Sequence, residues 1–167
     1  MSPITASDTR RVIVGVADMK VVKGAGQTIV THALGSCIGV TAHDPVAQVG
    51  GMLHFMLPDS TVNQARADGN PYMFADTGIP LFLQKLYALG AVKGRLVVKV
   101  AGGAQFVDSK DFFAIGKRNY TAMRKIFWKE GVLSKGEHVG GTISRTLYLE
   151  IGSGRVWFTN SGQEVEL

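Results

Sequence analysis

Cysteine is nearly absent: Cys37 is alone among 167 residues. That excludes a disulfide within the chain and a thiolate-rich zinc site within a monomer. No apolar run reaches the roughly 18 residues that a membrane-spanning helix requires. The opening segment "MSPITASDTRR" has no basic stretch followed by an apolar one, so no secretory signal is visible and a cytoplasmic location is expected. Internal repeats, low-complexity tracts and linkers are also missing, which leaves one domain over residues 11–167 behind a flexible N-terminus, 1–10. The balance of charge is basic, +5 with a pI near 9.5, and suits an acidic partner. The cations are dispersed, however, and neither zinc-finger spacing nor an aromatic RNA-binding signature occurs, so nucleic acid is not the expected partner. "GAGQT" (24–28) lacks the Gly-Lys-Ser/Thr ending of a phosphate loop, and "AGGAQF" (101–106) lacks the dinucleotide spacing; both read as tight turns. His32, His43, His54 and His138 show no metal-ligand spacing, so neither a metal nor a cofactor is expected.

What is present is an ordinary globular composition, 46% hydrophobic and 19% charged, with 21 glycines that call for many turns. Strand-like runs occur at 11–17, at 27–34 and twice within "CIGVTAHDPVAQVGGMLHFMLP" (37–58). Residues 59–76 read as a polar loop, and "DTGIPLFLQKLYALG" (76–90) as a helix ending near Gly90. "RLVVKVAGGAQF" (95–106) reads as a strand entering a glycine turn, and 116–131 as a second amphipathic helix closed by Gly131. A C-terminal hairpin turns at "GSG" (152–154). The fold class is therefore mixed α/β, α+β-like: a single domain with a mostly antiparallel or mixed sheet packed by two main helices.

The segment around Cys37 supports a geometric argument. Asp44-Pro45-Val46-Ala47 suits a type I turn, and Pro45 cannot adopt the positive φ of a two-residue type I′ hairpin. A four-residue loop over 44–47 makes His43 face Gln48, and counting back, Cys37 faces His54. Directly opposed residues have Cβ atoms about 4.5–5.5 Å apart on one face, which sets a thiol beside an imidazole. Ile38, Val40, Leu53 and Phe55 take the opposite, core face, and Gly39 leaves space beside the thiol. A three-residue loop would instead bring Phe55 to Cys37, and Gly50 and Gly51 allow a bulge. Free cysteine is also among the most buried residue types, so a structural Cys37 stays open beside a nucleophilic one.

The motifs "THALGSCIGV", "DPVAQVGGMLHFMLPDS", "YMFADTGIPLFL", "KVAGGAQF", "IGKRN" and "VGGTISR" resemble, in order and over residues 11–159, those of the CheD family. Its members are chemoreceptor glutamine deamidases of bacterial and archaeal chemotaxis. The resemblance implies a Cys-His-Thr set: Cys37 of "LGSC" as nucleophile, His54, 17 residues on, as general acid and base, and Thr31 as the residue that orients His54. "GGAQF" is shorter than the family's "GGAxMF", a departure at Gln105 that touches the loop and not the three residues. Ser36 is an alternative nucleophile, and transfer to an amine would share the thioester. Implied partners are receptor cytoplasmic helices and a CheC-type phosphatase, without nucleic acid or membrane insertion. An adaptor that acts chiefly by binding is the other reading. His32 and His43 match no catalytic position, and surface or packing roles are expected for them.

Overall fold

A computed structural model describes residues 10–105 and 114–167. The expected flexible N-terminus lies outside the described residues except for Arg10, which opens the first strand, and Phe106 of "AGGAQF" lies outside them too. Ten strands form two five-stranded sheets among the described residues. The first is ordered β1 (Arg10–Val14), β3 (Gln27–Leu34), β8 (Arg145–Ile151), β9 (Val156–Asn160), β10 (Gln163–Glu166). The second runs β2 (Asp18–Lys23), β5 (Val49–Phe55), β4 (Ile38–Asp44), β6 (Val97–Gly102), β7 (Ser134–Val139). Only the β1/β3 and β6/β7 pairs are parallel. The helices are α1 (Gln64–Gly69), α2 (Ala75–Ala88) and α3 (Ile115–Glu130).

The mixed α/β class is as expected, but the strands divide into two stacked sheets rather than one. Side chains such as Ile29, Leu149 and Phe158 of the first sheet pack on Met52 and Ala101 of the second. The other face of the second sheet, with Val40, Leu53 and Phe55, packs on Ile79, Phe82 and Leu86 of α2 and Met123 and Phe127 of α3. The result is three layers, sheet, sheet and helices. β4 and β5 lie in the middle one, and all seven residues of each are buried. Their long apolar run reflects cover on both sides.

The hairpin between β4 and β5 corrects the expected register. Asp44 Oδ1 accepts the Val46 and Ala47 N–H groups at 2.9 and 3.0 Å, while Asp44 O accepts Gln48 N–H at 2.9 Å. Gln48 closes the loop at φ +54°, so the loop spans 45–48 and Asp44 pairs with Val49. Gly39 rather than Cys37 therefore faces His54. The displacement is two residues. Because side chains alternate with a period of two, every residue keeps its expected face. Residues 59–76, expected as a loop, contain α1, whose first turn is capped by the Asn63 side chain on Arg66 N–H at 3.1 Å. β2, β7 and β10 are further additions to the expected strands.

Candidate active site

Thr31 and His54 meet across the two sheets. Thr31 Oγ1 stands 2.7 Å from His54 Nδ1 and donates its hydroxyl proton to Val14 O at 2.8 Å. With that proton committed, the hydroxyl oxygen accepts from His54, so Nδ1 carries the imidazole's hydrogen and Nε2 carries the lone pair. Both side chains are fully buried, and Nε2 has no hydrogen-bond partner among the described residues. β3 bulges directly after Thr31, where Ala33 sits at φ +58°, and the chain leaves the first sheet towards the second.

Cys37 follows in the bend that joins β3 to β4. It is half-buried, two residues before Gly39, the cross-strand partner of His54, and on the same face as both. No hydrogen bond links its Sγ to His54. The space expected beside Gly39 is filled, because a Cβ there would stand 2.7 Å from Leu147 Cδ2 and 3.0 Å from Leu34 Cδ1. All three carbonyls of the bend are held: Gly35 O by Ala104 N–H at 2.9 Å, Ser36 O by Asn119 Nδ2 at 2.9 Å, and Cys37 O by Gly103 N–H at 2.8 Å. Gly102 sits at φ +115°, and a Cβ there would collide with Cys37 O, so the turn at 102–103 must be glycine to lie against the cysteine bend.

Three residues shape this site that sequence reasoning passed over. Asn119 is fully buried and its Nδ2 donates both to Ser36 O and to Met56 O, each at 2.9 Å. One amide thus ties the segment carrying Cys37 to the strand end carrying His54. A polar residue on the buried stripe of α3, with Gly116, Met123 and Phe127, was the available signal. Arg145, also buried, donates to Gly102 O, to Gly140 O and from Nε to His138 Nδ1 at 3.0 Å, which holds the glycine turn from behind. Asp18 pairs across the strands with His54 and contributes a negative charge to its surroundings.

The electrostatics favour neutral groups. Burial pulls His54 down to about 4, against a smaller upward pull from Asp18. Burial pushes the Cys37 thiol up, only partly offset by its own backbone N–H. At neutral pH the site therefore holds a thiol and an uncharged imidazole, not a thiolate-imidazolium pair. The other histidines lie apart: His32 is exposed, and His43 is buried under Gly154. His138 serves Arg145.

The family model described as "CheD chemotactic sensory transduction" matches residues 56–160, well over half of the chain. The chain belongs to the CheD family. That match starts just after His54 and takes in the segments that carry Asn119 and Arg145. Similarity to individual relatives extends over about nine-tenths of the chain. A protein of Solibacter usitatus named "Probable chemoreceptor glutamine deamidase CheD" is 55% identical over 157 residues, 94% of this chain and 93% of that one. "Probable chemoreceptor glutamine deamidase CheD 1" of Syntrophus aciditrophicus is 50% identical over 90% of this chain and 94% of its own. An archaeal relative from Pyrococcus abyssi with the same name as the first is 41% identical over 89% of this chain and 90% of its own. No helix among the described residues is long and apolar enough to cross a membrane.

Proposed function

We propose that this CheD-family chain is a protein-glutamine deamidase of chemoreceptors, with Cys37 as nucleophile, His54 as general base and acid, and Thr31 as the group that fixes the His54 tautomer. The observation that carries the reading is the Thr31–His54 hydrogen bond, which leaves the Nε2 lone pair free on the face that Cys37 shares. The names of the relatives supply the reaction and its substrate class.

In this reading His54 Nε2 takes the Cys37 thiol proton as Sγ attacks the side-chain carbonyl carbon of a glutamine. The resulting oxyanion is met by Ser36 and Cys37 N–H groups, for which no backbone acceptor occurs among the described residues. The imidazolium returns the proton to the leaving nitrogen, ammonia departs and a thioester remains. Water, deprotonated by His54, then attacks the thioester carbonyl, the thiolate leaves and recovers the proton, and glutamate is the product. Thr31 is uncharged and stabilises the imidazolium less than a carboxylate would; Asp18 supplies part of the missing negative charge.

Mass spectrometry of receptor cytoplasmic fragments incubated with wild type and Cys37→Ala tests this. The expected result is amide-to-acid conversion at particular glutamines with wild type and none with Cys37→Ala. Equal conversion by the two proteins overturns it, and cross-linked products would assign acyl transfer to an amine instead. Binding that survives Cys37→Ala, with no ammonia released by wild type, would favour the adaptor reading. A CheC-type phosphatase as second partner, and a cytoplasmic location, rest on the family resemblance.

A further inference from the structure

β1 belongs to the first sheet and β2 to the second, so residues 15–17 carry the chain from one layer to the other. One peptide at that crossing, between Val14 and Gly15, is bonded at both ends. Its carbonyl, Val14 O, accepts the Thr31 hydroxyl at 2.8 Å, and its N–H, on Gly15, donates to Asp18 Oδ2 at 3.0 Å. Asp18 Oδ1 accepts the Met19 N–H at 2.8 Å, and Asn70 Nδ2 holds Ala17 O at 2.9 Å. Asp18 is also the cross-strand partner of His54, and directly opposed residues of an antiparallel pair share a face. The carboxylate therefore holds the peptide that Thr31 uses and lies on the His54 side of its sheet.

Taken in sequence, the bonds run His54 Nδ1–H to Thr31 Oγ1, Thr31 O–H to Val14 O, and Gly15 N–H to Asp18 Oδ2. Every donor points the same way, from the imidazole towards the carboxylate, and aligned hydrogen bonds polarise one another. A charge at the far end draws the Gly15 N–H, enriches Val14 O and makes Thr31 Oγ1 a better acceptor for His54. No proton crosses the peptide; each atom keeps its own hydrogen. The Asp18 charge is felt at His54, where it opposes the pull of burial. The other elements around His54 offer little charge: β4 contributes Gly39 and the bend the neutral Cys37 thiol, while Arg145 of β8 is spent on Gly102 O, Gly140 O and His138. Lys20 Nζ, 3.3 Å from Asp18 Oδ2, is the countercharge. Lys20 and Asp18 are 47% and 31% exposed, so water screens both.

We propose that Asp18 is a positioning residue of this site, acting on His54 through the Val14–Gly15 peptide and the Thr31 hydroxyl. Its carboxylate holds the Nδ1–H end of the ring and stabilises the imidazolium that forms when Nε2 takes the Cys37 proton. The catalytic consequence rests on the deamidase reading; the relay itself does not. The arrangement also accounts for an uncharged residue at position 31. Thr31 is fully buried, and a carboxylate there would have to be desolvated without a countercharge. With the relay, the charge stays partly in water and only its polarising effect reaches the buried ring.

The test reads the His54 Nδ1 proton by NMR at pH 7 in the full chain carrying isotope-labelled histidine, beside kcat and KM for glutamine conversion in a receptor fragment. D18N keeps an oxygen that can accept the Gly15 N–H and removes the charge. The resonance should move upfield and kcat fall about 3- to 10-fold, with KM within about twofold. K20Q frees the Asp18 charge of its countercharge, so the resonance should move downfield without loss of kcat. A loosened fold would not give these opposite signs. G15P keeps the charge and removes the donor, at a position outside the left-handed region. It should resemble D18N, and D18N/G15P should lose no more than either alone. In a Thr31→Val background, where the relay is already cut, D18N should cost nothing further, a comparison that holds even where G15P does not fold. A His54 resonance unmoved in D18N overturns the proposal, and one that moves with kcat unchanged overturns the catalytic role. The same loss from D18N with Thr31 present or replaced would show the charge acting across space and overturn the relay. Wild type that converts no glutamine, with the resonances responding as expected, would sink the deamidase reading and leave the relay standing.

Discussion

Alkylation of Cys37 by iodoacetamide separates a neutral thiol-imidazole site from a preformed ion pair. Cys37 is the only thiol in the chain, so the label reports one group without background. A thiol with pKa near 8.5 is about 3% thiolate at pH 7, and burial pushes Cys37 in the direction of less. A thiolate-imidazolium pair with a thiol pKa near 4 would be almost fully ionised at that pH, a difference of about 30-fold or more in reactive species. The alkylation rate of the folded protein is therefore expected to rise about tenfold per pH unit from pH 6 to 8 and to lie below that of the denatured chain. His54→Ala should change the rate by no more than about threefold, since the imidazole does not set the resting charge of the sulfur, while deamidation is lost. A rate that is flat from pH 5 upward, above that of the denatured chain and sensitive to His54→Ala, would refute the neutral pair.

Thr31→Val leaves His54 Nδ1–H buried without its acceptor and takes the hydroxyl donor from Val14 O. At about 1–3 kcal/mol per unsatisfied group, kcat should fall about 10- to 100-fold, and Thr31→Ser should recover most of it. Asn119→Ala should lower kcat while raising the alkylation rate of Cys37, because the bend loses its tie to Met56 O; a merely destabilised core would leave the alkylation rate of the folded protein unmoved. His54 binds its proton near 4 when folded and near 6.5 when unfolded, so the unfolded chain holds more protons between these values. Its contribution, about 3 kcal/mol, is fully present above pH 6.5 and is lost as pH falls towards 4, so melts at pH 7 and 5 should differ less in His54→Gln. Burial raises Asp44, but N–H donors from Ala47, Val92 and Val46 and the Arg95 side chain overcome this and hold it at about 2. Asp44→Ala should cost about 3 kcal/mol or more in urea unfolding.

The strands of the second sheet were readable where they are most buried. β4 and β5 stand out because both of their faces are covered, and the Asp-Pro pair marks the turn. The register escaped by two residues because Gln48 takes a left-handed conformation that nothing in its chemistry announces. The faces survived because two is even. β2, β7 and β10 were hidden for a different reason: "DMKVVK", "SKGEHV" and "QEVE" are edge strands, exposed or half-exposed, whose side chains follow no clean alternation. The division into two sheets left no local mark, since it depends on which strands meet. Thr31, Cys37 and His54 are proposed as the site from motif resemblance, with parity as physical support. Asn119 and Arg145 act through carbonyls of distant segments, and a backbone acceptor has no side-chain signature.

Thr31 belongs to one sheet and His54 to the other, and no strand ladder joins the two layers, only packing and side-chain bonds such as those of Arg145. Each sheet can keep its own ladder of hydrogen bonds while it slides a fraction of an ångström over its neighbour. Such a slip would scarcely alter a circular dichroism spectrum, yet it would break the one contact that decides which imidazole nitrogen holds the proton. Chemical competence is thus a finer gauge of how the layers are seated than any measure of secondary structure. On warming, it should fade before the strands do.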